Sequence, residues 1–442
     1  MVMLRDRLIK GAALNFIAVA FNQGSTLIVN VFVARILMKE IFGEYAIVQS
    51  TLLTVATLSQ LATGYTASKY IAEYRTSDSE RAGRIMGLCA LVSWLMAGVG
   101  TILLIGIAPL LADEMLKAPH LSGALMIGSG FLFFSSINGY QTGALSGLEA
   151  YGSLAKSGVV SGVVAVVAIS FGALWGGLNG AIIGLSISGF VRYAIHNRWL
   201  RLESHIQHIK PQYRASFRQE KAIIYKFALP AVMAGYYSMP MIWFANSVLV
   251  RQPGGYGEMA LYASASSVRL LVLFIPQVIN NVSLTILNNT LGNGDMQRYK
   301  RVYISNVFVI FLATLICGVV IGGFGDIILG VFGREFSGGK TILRFLMLST
   351  VFEGISVALY QHLQSQGKIW SSFFLINIPR ETAFVALAII MVPMQGAVGL
   401  SMAYALCWLI SLVVICSLVY HEKIVTKDNR SSMLISPARR IN

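Results

Sequence analysis

About twelve apolar stretches, each near the roughly 20 residues that a helix needs to cross a bilayer, run from end to end of this 442-residue chain. No other feature constrains the fold as tightly. In hydrocarbon every backbone N–H and C=O must be satisfied inside the protein, so long apolar runs become helices packed on helices. The composition agrees: 56% of residues are hydrophobic and 12% charged, against about 25% charged in soluble domains. The hydrophobic pattern predicts spans near 12–34, 45–66, 85–108, 121–146, 157–175, 179–198, 226–250, 259–287, 302–322, 341–364, 370–392 and 396–420. The first is too long for the apolar core of a secretory signal and has no small-residue cleavage site, so it is expected to be a retained helix.

The second six spans echo the first six in order. Ala34-Arg35 and Gly43-Glu44-Tyr45-Ala46 return as Val250-Arg251 and Gly257-Glu258-Met259-Ala260. Gly180-Ala181-Ile182-Ile183-Gly184-Leu185-Ser186 returns as Gly396-Ala397-Val398-Gly399-Leu400-Ser401. Such order along the chain marks an internal repeat. Six is even, so both halves enter the membrane with the same polarity and the repeat is parallel, about an axis near the membrane normal. The expected fold is therefore all-α and polytopic, about twelve transmembrane helices in two six-helix bundles related by a parallel repeat. The boundaries are 1–200 for the first bundle, 201–225 for a basic cytoplasmic linker, 226–420 for the second bundle and 421–442 for a mobile cytoplasmic tail. Two bundles that can rock about a shared site are the usual plan of a transporter.

The net charge of +15 raises nucleic acid as a partner, and its placement argues against it. With the amino terminus inside, the outer ends hold only Arg35, Lys39, Lys117, Arg251, Arg334, Lys340 and Arg344. The inner loops hold nearly all the rest, including the run from Arg192 to Lys226. This is the positive-inside bias: both termini are cytoplasmic, and the basic charge serves topology and attraction to anionic membrane lipids. Cys89, Cys317, Cys407 and Cys416 lie within spans without metal spacing and read as small core residues. Pro109 and Pro119 bracket an outer loop, Pro253-Gly254-Gly255 makes an outer turn, and Pro230, Pro240, Pro276 and Pro379 predict kinks inside spans.

Four segments carry a family resemblance. Leu249-Val250-Arg251-Gln252-Pro253-Gly254-Gly255-Tyr256-Gly257, followed by Leu261-Tyr262-Ala263-Ser264-Ala265 and Arg269, looks like one outer turn. The others are Glu40-Ile41-Phe42-Gly43-Glu44-Tyr45, Lys69-Tyr70-Ile71-Ala72-Glu73-Tyr74 and Gly143-Ala144-Leu145-Ser146-Gly147-Leu148-Glu149-Ala150-Tyr151. Together they resemble the polysaccharide flippases of the multidrug/oligosaccharidyl-lipid/polysaccharide exporter superfamily, over nearly the whole chain. The resemblance implies a protein of the bacterial cytoplasmic (inner) membrane. Its implied substrate is an undecaprenyl-pyrophosphate-linked glycan, an O-antigen or other surface polysaccharide repeat unit, accepted at the cytoplasmic face and presented outside. It also implies partnership with glycan polymerase and chain-length machinery.

A pyrophosphate crossing a low-dielectric region needs a cation, and charged residues deep in spans are costly enough that each is a candidate. Arg269 in span 8 leads, because guanidinium makes forked bonds to phosphate oxygens, and the resemblance places an arginine there. Arg380 in span 11 follows. Glu353 in span 10 and Glu381 in span 11 are candidate ion-coupling groups, with pairing of Glu353 to either arginine as the structural alternative. Arg35 and Arg251 occupy matching outer ends, to line an exit or to snorkel to headgroups. Lys69 stands at the inner end of span 2. Asn15, Asn22, Asn246 and Asn280 are polar positions on spans 1, 7 and 8 that would face a central cavity or bond between helices.

A cation-coupled drug exporter of the same fold is the nearest competitor, but spans 1 to 6 have no Asp or Glu near their middles. A peptidoglycan-precursor flippase usually has two more spans than this chain can hold. A membrane glycosyltransferase or polymerase would need acids and bases over a reacting bond; Asp113, Glu114 and Asp326 are scattered, and there is no nucleotide-binding loop. No enzyme activity, cofactor or metal is expected.

Overall fold

The computed structural model describes the backbone of residues 2–213, 220, 237–366 and 369–434, and the side chains of 20–213, 220, 237–366 and 371–420. Within them the chain is helical almost throughout. Helix α1 (Val2–Ser59) is two arms meeting at Met38, where φ is 65°. After a break at Leu61 and Ala62, α2 (Thr63–Tyr74) extends the second arm. Helix α3 (Ser79–Leu110) runs into a π-turn at Leu111–Met115 and is followed by α4 (Leu121–Gly147). Helix α5 (Tyr151–Ile206) bends back at Gly176 and Gly177. The second half holds α6 (Ser238–Val250), α7 (Gly255–Gly292), α8 (Met296–Gly323), the short α9 (Gly325–Gly330), a 3-10 turn at Arg334–Gly339 and α10 (Lys340–Ser365). Then come α11 (Ile369–Ser372), a π-turn at Phe373–Asn377 and α12 (Ile378–Leu434), which folds back at Gly396. Counting each sharply bent helix as two arms gives twelve rods among the described residues. The protein is an all-α, multi-pass membrane protein, with large apolar side chains such as Ile102, Val319 and Trp175 turned outward where lipid lies.

The repeat is visible in the backbone. The rods that follow the first inner loop of each half start on an aspartate: Asp78 accepts from the Arg81 amide and Asp295 from the Arg298 amide, both at 2.9 Å. These are N-caps satisfying an otherwise orphaned donor. Gly177 (φ 56°, ψ −136°) and Gly396 (φ 58°, ψ −133°) hold the same left-handed turn, a conformation open to glycine at no steric cost. This corrects the register read from sequence, which matched Gly180 with Gly396. In three dimensions Gly180 matches Gly399. Each sits against the backbone eight residues earlier, where an added Cβ would lie 2.0 Å from the Gly172 carbonyl oxygen and 2.2 Å from that of Met391.

Several punctuation marks act differently from expectation. Pro109, expected to bracket a loop, lies one residue before the end of α3, and a π-turn carries the rod on to Met115; Pro276, expected to kink a span, lies inside α7. Membrane helices tolerate proline where local π or 3-10 adjustment re-satisfies the freed carbonyls, and a π-turn does follow Pro109. Pro379 falls just after the π-turn at Phe373–Asn377, and Pro240 lies in the first turn of α6, where a missing N–H costs little. Pro230 lies outside the described residues. The backbone of α12 stays helical to Leu434, through residues assigned to a tail. Cys89 and Cys407 are buried, whereas Cys416 is exposed on an outward face and is no core residue.

The core is asymmetric along the membrane normal. At the end away from the 201–225 linker, one apolar cluster joins both halves, from Val33, Phe42 and Tyr45 to Leu249, Tyr262 and Phe336. The Phe42 and Phe336 rings meet edge-on at 5.8 Å. Towards the linker the clusters are separate among the described residues: Ile71, Ile85, Met86 and Tyr140 in the first half, Leu287, Tyr299 and Tyr303, and Leu363, Ile376 and Ile415 in the second. The matched glycines Gly43 and Gly257 close the shared end reciprocally. An added Cβ at Gly43 would lie 1.9 Å from the Tyr256 carbonyl oxygen, and one at Gly257 would lie 2.7 Å from Glu40 Oε1. Because Gly43 faces backbone that cannot yield, Gly43→Leu should destabilise the protein by about 1–3 kcal/mol. A lowered thermal midpoint in detergent would show it, with Gly98→Leu, which meets open space, unchanged; equal midpoints would mean that the halves do not close on this contact.

Candidate functional site

In the second half the deep charges gather into one cluster. Counting from the turn at Gly254, Arg269 lies about 22 Å down α7 at 1.5 Å per residue. Its Nη1 donates to Glu353 Oε2 at 2.7 Å and to the Tyr404 hydroxyl at 3.0 Å. Tyr404 in turn donates to Glu353 Oε2 at 3.3 Å, and its ring faces the guanidinium at 4.5 Å. One turn on along α12, Trp408 offers its ring face to Arg380 at 4.3 Å. Arg380 Nη2 and Nε both donate to Glu381 Oε1, at 2.6 and 3.0 Å, and Ser238 donates to the same oxygen at 2.9 Å. Two guanidiniums and two carboxylates thus cancel within α6, α7, α10 and α12. Side-chain exposure of the four is 7 to 17%, so they are mostly withdrawn from the surface. Arg269 Nε is buried without a partner. Tyr404, Trp408 and Ser238 had not been singled out from sequence; Tyr404 and Trp408, four residues apart on a span, were the available signal.

The first half holds a different arrangement. Arg192 had been counted among the inner-loop cations although the span near 179–198 contains it; α5, continuing to Ile206, carries it inside the sixth rod. It sits about 22 Å past the Gly177 turn, the same depth as Arg269 past Gly254. Arg192 Nη2 donates to Asn22 Oδ1 at 3.0 Å. His196, one turn on, is 5% exposed and its Nδ1 has no partner.

The remaining candidates scatter. Asn246 donates to Ser50 across the halves at 3.5 Å, beside a bond from Trp243 Nε1 to Thr51 at 2.8 Å. Arg35, exposed, also crosses the halves and donates from Nε to the Val331 carbonyl at 2.7 Å. Its counterpart Arg251 is exposed at the end of α6. Asn280 is turned into the second bundle, where it accepts from Asn306 at 3.0 Å while its carbonyl accepts from Gln361 at 2.6 Å; it ties α7 to α8 and α10. Lys69 is exposed, with Nζ 4.8 Å from the Tyr70 ring centre. The backbone of Asn15 is helical, and its side chain lies outside the described residues. Among the described residues no group of three His, Cys, Asp or Glu is placed to hold a metal.

Breaking a withdrawn ion pair from one side costs far more than the pair's net worth, typically about 3–5 kcal/mol, because a charge is stranded. Glu353→Gln should therefore lower the thermal midpoint strongly, with Arg269→Gln/Glu353→Gln recovering most of the loss. Tyr404→Phe, which keeps the ring face and loses the hydroxyl, should cost about 1 kcal/mol. A double mutant no better than Glu353→Gln would show that Glu353 does not serve to neutralise Arg269.

Comparison with known proteins matches this architecture. The family model described as polysaccharide biosynthesis protein aligns with residues 8–287. The EPS I polysaccharide export inner membrane protein EpsE of Ralstonia nicotianae is 25% identical over 417 residues, covering 92% of each chain. Among solved structures, an inward-facing multidrug resistance MATE family transporter of the MOP superfamily superposes with a TM-score of 0.77 at 16% identity, covering 95% of this chain and 99% of that one. An outward-facing MATE family transporter gives 0.70 at 16% identity, covering 96% of each. A MOP superfamily transporter from Pyrococcus furiosus gives 0.70 at 17%, covering 92% and 93%. These structures share the fold. With the family model spanning residues 8–287, more than half of its length, the chain belongs to the polysaccharide biosynthesis protein family.

Proposed function

We propose that the protein is a flippase that moves an undecaprenyl-pyrophosphate-linked oligosaccharide, an O-antigen or other surface polysaccharide repeat unit, from the cytoplasmic to the outer leaflet by alternating access. The supporting observation is the one-ended joining of the halves. Among the described residues the bonds between halves gather towards the end away from the linker: Asn30 to Ser267 at 2.9 Å, Tyr256 to the Leu116 carbonyl at 2.8 Å, and the Arg35, Trp243 and Asn246 contacts. Of the first-half helices, α1 makes the principal contact with α6 and α7, while α2 to α5 pack within their own half. With the linker and both termini cytoplasmic, as the positive-inside bias indicates, this is an inward-facing state. Rocking of the bundles would open the far end in its turn.

In this reading the protein acts as a carrier and not an enzyme. The glycan threads between the bundles, the polyprenyl tail stays in lipid, and a glycan polymerase of the same inner membrane receives the product. Glu353 and Glu381 occupy Arg269 and Arg380, so phosphate reaches those guanidiniums only by displacing a carboxylate; protonation of either Glu would release its arginine, which is how ion coupling would enter.

Sidedness of the lipid-linked glycan in cells lacking the gene tests the reading. Glycan is expected to stall on the cytoplasmic leaflet and to be rescued by the wild-type gene. Normal export without the gene, in a strain with no second exporter, would overturn it. The cation-coupled small-molecule exporter, which shares the fold, would then stand first.

A further inference from the structure

We infer that Arg192, with Asn22 and His196, forms an anion site in the first half that takes the pyrophosphate of the incoming lipid-linked substrate while the protein faces inward. The inference rests on the flippase reading and names the part of the pathway that first holds the headgroup. Three observations carry it.

The first is charge balance. Arg269 and Arg380 each carry a carboxylate at 2.6 to 2.7 Å. Among the described residues Arg192 has none; its partner is the neutral Asn22 amide at 3.0 Å. An arginine this deep in a membrane helix is expensive to keep unless something anionic meets it. A guanidinium with N–H groups to spare presents the planar fork that suits phosphate oxygens. The second is His196. It follows Arg192 by four residues and so stands on the same helix face. It is withdrawn from the surface, yet its Nδ1 has no partner. Buried polar atoms are rarely left unmet, and a phosphate oxygen would satisfy this one. The third is position. Asn22 lies eight residues before Asn30, about 12 Å nearer the linker along the same helix. Asn30 bonds to Ser267 of the second half, so the Arg192 group lies on the linker side of that bond, where a substrate arriving from the cytoplasm reaches it before the closed end. Arg192 is half-buried rather than sealed off.

The chemistry expected is a lipid-borne pyrophosphate, and a bulk anionic phospholipid offers the same phosphate oxygens. The test separates them. Full-length protein in phosphatidylcholine nanodiscs is titrated with farnesyl pyrophosphate, as a short-chain probe, by microscale thermophoresis. Wild type should bind, and Arg192→Gln should bind at least about tenfold more weakly, as for the loss of hydrogen bonds to a charged group. Arg192→Lys, which keeps the charge without the fork, should fall between. Asn22→Asp supplies the variant that need not disturb folding: it leaves Arg192 in place and sets a carboxylate against it, so it too should lose binding, with an unchanged or raised thermal midpoint. If wild type binds and both Arg192→Gln and Asn22→Asp bind as well as it does, the assignment is wrong and the flippase reading stands. If wild type binds no pyrophosphate lipid, both fall. Equal competition by phosphatidylglycerol would make this an ordinary lipid contact and overturn the proposal.

Discussion

The structure depends on a constraint at one end of the membrane: two six-rod halves have to share a core there without side chains coming between their backbones. Gly43 meets the Tyr256 backbone of the other half where a Cβ would clash, while its repeat counterpart Gly257 faces the end of the Glu40 side chain. Around them Phe42, Tyr45 and Phe336 are essentially buried, and the apolar cluster runs unbroken from one half to the other. In a bilayer, lipid is as apolar as leucine, so association of the halves cannot rest on the hydrophobic effect; close backbone packing and a few hydrogen bonds have to supply it. Both are present here, in the approach of Gly43 to the Tyr256 backbone and in the Trp243, Asn30 and Arg35 bonds. At the other end, among the described residues, each half keeps its own small clusters.

The charges follow a related economy. Each deep carboxylate meets a guanidinium, and each of those guanidiniums also lies over an aromatic face, Tyr404 or Trp408. This arrangement keeps the second half neutral in the region where charge is most costly. The first half has no carboxylate in its spans, and its one deep arginine leans on an asparagine. The two bundles, alike in backbone, therefore differ in electrostatics, with an outwardly balanced cluster on one side and an unmatched cation on the other. A carrier of an anionic headgroup has use for such a difference, since a fully balanced pathway would offer the phosphate nothing to hold.

Much of the architecture was legible because hydrophobic run length and parity are coarse signals that tertiary contacts rarely override. The predicted spans fall close to the rods where their residues are described, and Arg269 and Glu353 stood out by being charged where charge is rare. The misses have physical reasons. Arg192 was counted with the inner-loop cations although it falls within the span near 179–198, because a charge tally along the chain does not show depth; helix α5 carries it well inside the rod. Pro109 was expected to bracket a loop, but the rod runs on through a π-turn at Leu111–Met115, as membrane helices can absorb proline. The echo near Gly396 was aligned by composition and came out one turn away, since only the dihedrals and the Gly180–Gly172 and Gly399–Met391 approaches mark the true register. The paired N-caps Asp78 and Asp295 were there to be found, as aspartate just before each third rod.

The sequence by itself determined that the chain crosses the membrane many times, as helices, in two halves of like polarity, because run length, charge bias and order along the chain need no knowledge of contacts. It also nominated the deep charges of the second half. What only the tertiary structure decided is which of those charges cancel, which rods close the far end, and which arginine is left without a carboxylate. Those depend on residues 84 or 170 positions apart, Arg269 with Glu353 and Asn22 with Arg192, brought to within 3 Å by packing. Helical periodicity speaks for near neighbours on one rod and is silent about the facing rod.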